Sequence, residues 1–215
     1  MKLIYDKYDK NLISKLPRVL FEGRIFVIFS EKEAQKAVDY LMQQTILGFD
    51  TETRPSFKKG QMHQVALLQV ATHDTCFLFR LNQIGITPPI QRLLEDRDIT
   101  KVGLSLQDDL RMLRHRNDFT PGSFIELQRE VKDLGIQDMS LQKIYANLFG
   151  EKIAKGQQLS NWEADTLSEA QQRYAATDAW SCIRIHEEIK RMQQAQDYRL
   201  IITESTNSKD LIETH

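Results

Sequence analysis

The sequence predicts an α/β protein with a mixed central sheet covered by helices, and three observations carry that prediction. Between residues 24 and 81 strand-like segments follow one another, with one amphipathic helix among them. After that, helical and strand-like segments alternate, the pattern of a sheet with helices packed on it. The length of 215 residues corresponds to one domain with appendages at roughly 150 residues per domain. A hydrophobic fraction of 41% with 27% charged residues suits a globular chain and excludes a collagenous, low-complexity or largely disordered one.

Taken in order, residues 1–23 are mixed in character and read as an N-terminal extension. Residues 24–29 form the first strand of the domain. Ser30 with Glu33 three positions on reads as a capping box, and Ala34, Ala37, Val38 and Leu41 recur at helical spacing. Residues 45–52 are the next strand, followed by turn-rich Arg54-Pro55-Ser56 and Lys58-Lys59-Gly60. Residues 64–71 and 75–81 make a hairpin around His73-Asp74, so these strands are expected as an antiparallel meander. A helix around residues 89–94, a short strand at 100–103, a helix at 106–114, an apolar segment at 124–127 and a helix opening at Ser140 follow. The last and longest helix is capped by Ser168 with Gln171. This sets a domain at residues 24–195, followed by a polar tail at 196–215 expected to be partly disordered.

No apolar run approaches the ~20 residues a bilayer crossing needs. The first ten residues carry charges before any useful apolar stretch, which makes a poor signal peptide, so a cytoplasmic location is expected and no membrane partner. Cys76 and Cys182 lack metal-ligand or disulfide spacing and read as small core residues. Lys plus Arg total 29 against 30 Asp plus Glu, a net charge of −1, which argues against tight bulk electrostatic grip on duplex nucleic acid but leaves room for a local basic rim.

Acidic residues are rare inside apolar strands, because a buried unpaired carboxylate costs several kcal/mol. In Ile46-Leu47-Gly48-Phe49-Asp50-Thr51-Glu52, the period of two places Gly48, Asp50 and Glu52 on one face. Two carboxylates that close raise each other's pKa unless a cation lies between them, and a hard divalent metal is such a cation. The alternative is a strand end emerging into solvent. Around the helix at 106–114, about 100° per residue groups Leu106, Leu110 and Leu113, sets Asp109 beside that stripe and turns Asp108 to solvent. Asp109 is then a site acid or an ordinary border residue. Tyr174 and Asp178, at i and i+4 of the last helix, share one face with Ser181, Ile185 and Ile189. Alone, that pair reads equally as a hydrogen bond.

Asp50-Thr51-Glu52-Thr53, then Val102-Gly103 with Leu110 and Leu113 around Asp109, then Tyr174-Ala175-Ala176-Thr177-Asp178, occur in that order. This resembles the DEDDy branch of the 3′-to-5′ exonucleases, and is most similar to the Werner-syndrome type of domain and to ribonuclease D. Leu159-Ser160-Asn161-Trp162 and Leu167-Ser168-Glu169 add to the likeness, which spans about residues 24–192. It implies a ribonuclease H-like fold with helices on both faces of the sheet. It also implies two divalent ions, Mg²⁺ or Mn²⁺, at Asp50, Glu52, Asp109 and Asp178, and release of nucleoside 5′-monophosphates from free 3′ ends. By the same likeness Asp50 would bridge the ions and Glu52 and Asp178 would complete the nucleophile-side site. Asp109 would hold the second ion, and Tyr174 would orient the attacking water. The sequence departs from the pattern at the second motif, where Asp108 and Asp109 are adjacent.

Thr51, Thr53, Arg54 and Lys58 are expected to bind substrate around the first motif, with Lys59 and His63 nearby. Each basic residue there reads equally as a solvated loop charge, as do Lys152 and Lys155. Phe57 is a stacking residue or a loop Phe folded onto the core, and Trp162 reads as packing that holds the loop before the last helix. The expected partner is nucleic acid with a free 3′ end, DNA favoured over RNA, with any helicase or polymerase partner left open. Two rivals remain: a catalytically degenerate nucleic-acid-binding module of the same fold, and a phosphatase of the haloacid-dehalogenase type. The latter needs an Asp where Glu52 stands.

Overall fold

In the computed structural model, which describes residues 1–58, 60 and 62–203, the chain runs through β1 (Lys2–Tyr5), α1 (Lys10–Ile13), β2 (Arg18–Val19), β3 (Arg24–Ile28) and α2 (Glu31–Leu41). It continues through β4 (Ile46–Thr53), β5 (Val65–Ala71), β6 (Thr75–Phe79), α3 (Leu81–Ile84), α4 (Pro88–Glu95), β7 (Thr100–Gly103) and α5 (Leu106–Arg114). The last part comprises β8 (Phe124–Glu126), α6 (Leu127–Asp133), α7 (Leu141–Phe149), β9 (Lys152–Ile153), α8 (Glu169–Ala195) and β10 (Tyr198–Ile201).

Six strands form the central sheet in the order β3-β6-β5-β4-β7-β8. The meander expectation holds for β4, β5 and β6, which pair antiparallel. β3 differs: α2 returns the chain before β4 begins, so β3 runs parallel to β6 on the far side of the hairpin. β7 and β8 add in parallel beyond β4, and β5 alone runs against the rest. β5 is buried at every residue, as a central strand covered on both faces must be. α2, α4 and α5 pack around Leu47 and Phe49 on one face. α8 covers the other face, its Ala175, Ala176 and Ala179 lying against Ala66, Leu67 and Leu78.

Local sequence explains the ends of these helices. Ser168 and Gln171 form a reciprocal capping box at the start of α8. At α2, Ser30 accepts from the Glu33 N–H at 3.3 Å, but the Glu33 carboxylate reaches one residue further back and accepts from the Phe29 N–H at 2.8 Å. Cys76 and Cys182 are buried free thiols.

The two ends of the described chain meet. β1 and β10 pair in parallel, and Asp6 accepts from both the N–H and the hydroxyl of Thr203 at 2.8 and 2.7 Å. Asn147 of α7 ties Tyr5 in both directions, at 2.9 and 2.7 Å. Tyr198 and Leu200 pack with Ile4 and α8, so this part of the tail is ordered by a partner nearly the whole chain away, which local polarity could not reveal. The remainder of the expected polar tail, residues 204–215, lies outside the described residues. Among those described, no helix is long and apolar enough to cross a membrane.

Candidate active site

The period of two along β4 decides what each residue of the first motif meets. Gly48, Asp50 and Glu52 face α8, where a Cβ on Gly48 would lie 1.9 Å from the Ala179 carbonyl oxygen. Only glycine allows α8 to come so close, and that approach brings Asp178 to the strand. One carboxylate oxygen each from Asp50, Glu52 and Asp178 lie within 4.8 Å of one another.

Asp109 arrives from the other face. Thr51, alternating with the two acids, points toward α5 and donates its hydroxyl to Asp109. The structure thus brings three of the four expected acids together and holds Asp109 across β4 from them, near enough that its charge raises the pKa of both Asp50 and Glu52. Asp108 is exposed and pairs with Arg111 at 2.8 Å.

The electrostatics are those of a cluster without a counter-charge. Burial, then Asp109, Asp178 and Glu52, push Asp50 well above the usual carboxylate range. Burial and then Asp178 lift Glu52 to about 9. Burial lifts Asp178 to about 7 despite a hydrogen bond from Tyr174, and Asp109 to about 6 despite the one from Thr51. Among the described residues, no cation stands among the causes of these shifts. Burial and the same acids raise the Tyr174 phenol far above its ordinary value, so it remains a proton donor and turns its O–H toward Asp178.

Tyr174 is held from behind. Its ring lies 6.0 Å from that of the fully buried Trp162. The buried Arg80 guanidinium donates to the carbonyls of Ala164 and Asp165, and Gln171 Nε2 donates to Ser160 Oγ and the Asn161 carbonyl at 3.1 and 3.2 Å. Trp162 therefore packs in the loop before the last helix.

A cleft of about 380 Å³ opens over the acids, with Ser140, Gln142, Lys155 and Gln158 on its far walls. Of the residues expected to bind substrate, Thr51 spends its hydroxyl on Asp109. Thr53 ends β4 at a bulge opposite Val65. Arg54 pairs with Glu163 at 3.2 Å, and His63 Nδ1 lies 3.2 Å from the second oxygen of the same carboxylate. Lys58 is exposed, and Lys59 lies outside the described residues. Phe57 does not fold back onto the core but stands 85% exposed. Lys152 donates to the Ser14 carbonyl, whereas Lys155 lines the cleft.

Two residues escaped the sequence reading. Glu126, at the end of β8, accepts from the N–H groups of Ser105 and Leu106 at 3.0 and 2.7 Å and so caps the turn that launches α5, where Ser105 takes φ 64°. Gln69 stands directly opposite Asp50 in the β4–β5 ladder, fully buried, and among the described residues neither of its amide atoms has a hydrogen-bond partner. Its signal was a lone polar residue inside Val65-Ala66-Leu67-Leu68-Gln69-Val70-Ala71.

A mixed sheet with helices on both faces and an acid cluster at a strand end places the chain in the class of ribonuclease H-like nucleases. The EXO domain of Aedes aegypti Nibbler superposes with a TM-score of 0.74 at 20% identity, covering 82% of this chain and 92% of that one. Escherichia coli RNase D does so at 0.72 and 21%, covering 80% and 46%. Residues 25–194 match the model of the 3′-5′ exonuclease family, and the chain belongs to that family of phosphodiester hydrolases. Among curated relatives, the Drosophila melanogaster exonuclease 3′-5′ domain-containing protein 2 is 33% identical over 157 residues, 71% of this chain and 27% of that protein. The mouse bifunctional 3′-5′ exonuclease/ATP-dependent helicase WRN is 29% identical over 150 residues, 67% of this chain and 11% of that protein.

Proposed function

We propose that this protein is a DEDDy-type exonuclease that depends on divalent metal and removes nucleotides from free 3′ ends, DNA in preference to RNA, releasing nucleoside 5′-monophosphates. The observation that carries this reading is the meeting of Asp50, Glu52 and Asp178 within 4.8 Å, all with raised pKa values. An all-oxygen donor set of this kind fits Mg²⁺ or Mn²⁺. Asp50, Glu52 and Asp178 would hold one ion, and Asp109, across β4, would serve a second shared with Asp50. Bound there, a pair of such ions supplies hydroxide at neutral pH and offsets charge on a departing 3′-oxygen.

The chain's own groups do the positioning. Tyr174 keeps its phenolic proton and is no strong base; it orients a water by turning toward it the one O–H that here goes to Asp178. Its ring is fixed by Trp162, which sets where that hydroxyl can reach. Lys155 offers the cleft a cation for a phosphate, and Arg54 and Lys58, exposed on the loop that follows β4, would do the same, Arg54 by exchanging its contact with Glu163. The preference for DNA is supported by similarity to WRN and to the Aquifex aeolicus DNA polymerase I, 30% identical over 151 residues. A ribonuclease D, 27% identical over 156 residues, favours RNA as the second reading.

End-labelled DNA and RNA, single-stranded or recessed, with Mg²⁺, Mn²⁺ or EDTA, test the proposal. Shortening from the 3′ end, abolished by EDTA or a blocked 3′ terminus, is expected. Progressive loss from a free 5′ end would sink the assignment, and faster cleavage of RNA would reverse the substrate preference.

A further inference from the structure

The first strand of the central sheet has an unpaired side. In β3, Arg24 donates its N–H to the Asp74 carbonyl at 2.9 Å and Ile28 accepts from the Arg80 N–H at 3.1 Å, so the even-numbered residues bond toward β6. Ile25 and Val27 therefore turn both N–H and C=O away from the sheet, and among the described residues nothing bonds them. Natural edges are commonly blunted by proline, a bulge or a central charge. β3 has none of these: its centre is Phe26, 45% exposed and stacked on Phe77 at 5.5 Å. Beside it, a groove of about 400 Å³ between β3 and α2 has Arg24 at one end, Glu33 at the other, and Phe26, Tyr40 and Phe77 between them.

We propose that this edge pairs antiparallel with the same edge of a second copy of the chain, about a two-fold axis at Phe26. The register is dictated by the outward groups. Ile25 of one copy must oppose Val27 of the other, and every outward N–H then meets an outward C=O. Phe26 falls opposite its symmetry mate at the close, non-hydrogen-bonded position, where the two rings cover each other. Arg24 falls opposite Ile28 of the second copy. There the Glu33 carboxylate sits, bound to the Phe29 N–H. The cation at one end of the groove thus meets the anion at the other end, twice, by symmetry. Arg24 is 64% exposed, donates to the Thr75 hydroxyl at 2.9 Å and lies 3.8 Å from the likewise exposed Asp74 carboxylate, surface contacts it can exchange for Glu33 of the second copy. Two six-stranded sheets become one continuous sheet, and β6 and β5 separate the joint from the acids on β4, so each cleft stays open.

Sedimentation velocity of the full chain over a range of concentrations tests this. The wild-type chain is expected to dimerise reversibly, and Phe26→Asp to weaken association at least about 30-fold, the size of an aromatic anchor at an interface centre, without changing exonuclease activity per chain. Arg24→Glu and Glu33→Arg each place like charges across the axis and should dissociate the dimer, whereas a mixture of the two variants should form a heterodimer in which both pairs are opposite in sign. Thermal melts of each variant separate a lost contact from a lost fold. A wild-type chain that stays monomeric at all concentrations would overturn the proposal. So would a dimer indifferent to Phe26→Asp, or charge variants that fail to recover on mixing while remaining folded.

Discussion

Gly48→Ala would test whether the close approach of α8 to β4 builds the acid cluster. The added Cβ would lie 1.9 Å from the Ala179 carbonyl oxygen and 2.8 Å from its carbon, where ordinary contact begins at 3.4 Å. Backbone cannot rotate aside as a side chain can, so α8 must withdraw by about 1.5 Å at that point. Asp178 precedes Ala179, and Tyr174 lies one turn earlier, so the withdrawal pulls both from Asp50 and Glu52. A displacement of about 1 Å at reacting groups costs on the order of 100-fold in rate, and overpacking costs about 1–3 kcal/mol of stability. Single-turnover cleavage should therefore fall at least about 100-fold while every acid remains, and the melting temperature should drop by roughly 3–10 °C. Gly156→Ala, where nothing lies within 4 Å of the new Cβ, is the control and should be neutral. If Gly48→Ala cleaves within twofold of wild type and melts unchanged, the argument from close approach is wrong.

The metal-free protein should lose stability as pH rises. The folded state binds protons at Asp109, Asp178 and Glu52 up to about 6, 7 and 9, whereas ordinary carboxylates release them near 4. The stability these groups contribute is thus complete below about pH 4 and is lost as pH climbs through those values. Denaturant titrations in EDTA should show that slope, added Mn²⁺ should flatten it, and a rise in stability with pH would contradict the account. Asp50→Asn and Asp178→Asn should each abolish turnover by several orders of magnitude yet stabilise the metal-free chain by on the order of 1–3 kcal/mol; either variant near wild-type rate would remove that acid from the site. Asp109→Asn should cripple cleavage and Asp108→Asn leave it nearly unchanged, the two rates being compared under one set of conditions. Tyr174→Phe should keep metal affinity by calorimetry while turnover drops roughly tenfold to several-hundredfold, and undiminished cleavage would leave Tyr174 a packing residue.

What could be read beforehand was local or periodic. The β4 alternation, the α5 stripe and the Ser168–Gln171 cap each depend on residues within a turn or two of one another, and each stands in the structure as its pattern implies. What escaped depended on partners distant in sequence. The parallel pairing of β3 with β6 follows from where α2 delivers the chain, and β10 is ordered by β1 at the opposite end. Thr51, expected to bind substrate, lies on the cleft wall. Its hydroxyl goes to Asp109, because strand alternation sends it to the other face, a consequence legible in the same periodicity that placed Asp50 and Glu52. Arg54 could not be assigned before Glu163 was known to stand beside it.

That division of labour on β4 explains how four acids can be held on a fold that their repulsion opposes. Carboxylates driven up by burial and by each other would separate if their supports yielded, yet each support is fastened elsewhere. Asp50 and Glu52 are fixed by the ladder to β5, and Asp178 by a helix whose alanines are buried against the sheet and whose Ile185 and Ile189 are buried in the cluster with α6 and α7. Asp109 is tethered to Thr51, on the same strand as the other two acids, and the turn before its helix is locked by Glu126. Arg80 and Gln171 secure the loop that presses Trp162 on Tyr174. The unfavourable charge is therefore stored in rigid elements, and a cation bound there would find its oxygens already converged, with little reorganisation needed. Gln69 fits this arrangement: among the described residues it stands buried opposite Asp50 with its hydrogen-bonding capacity unspent.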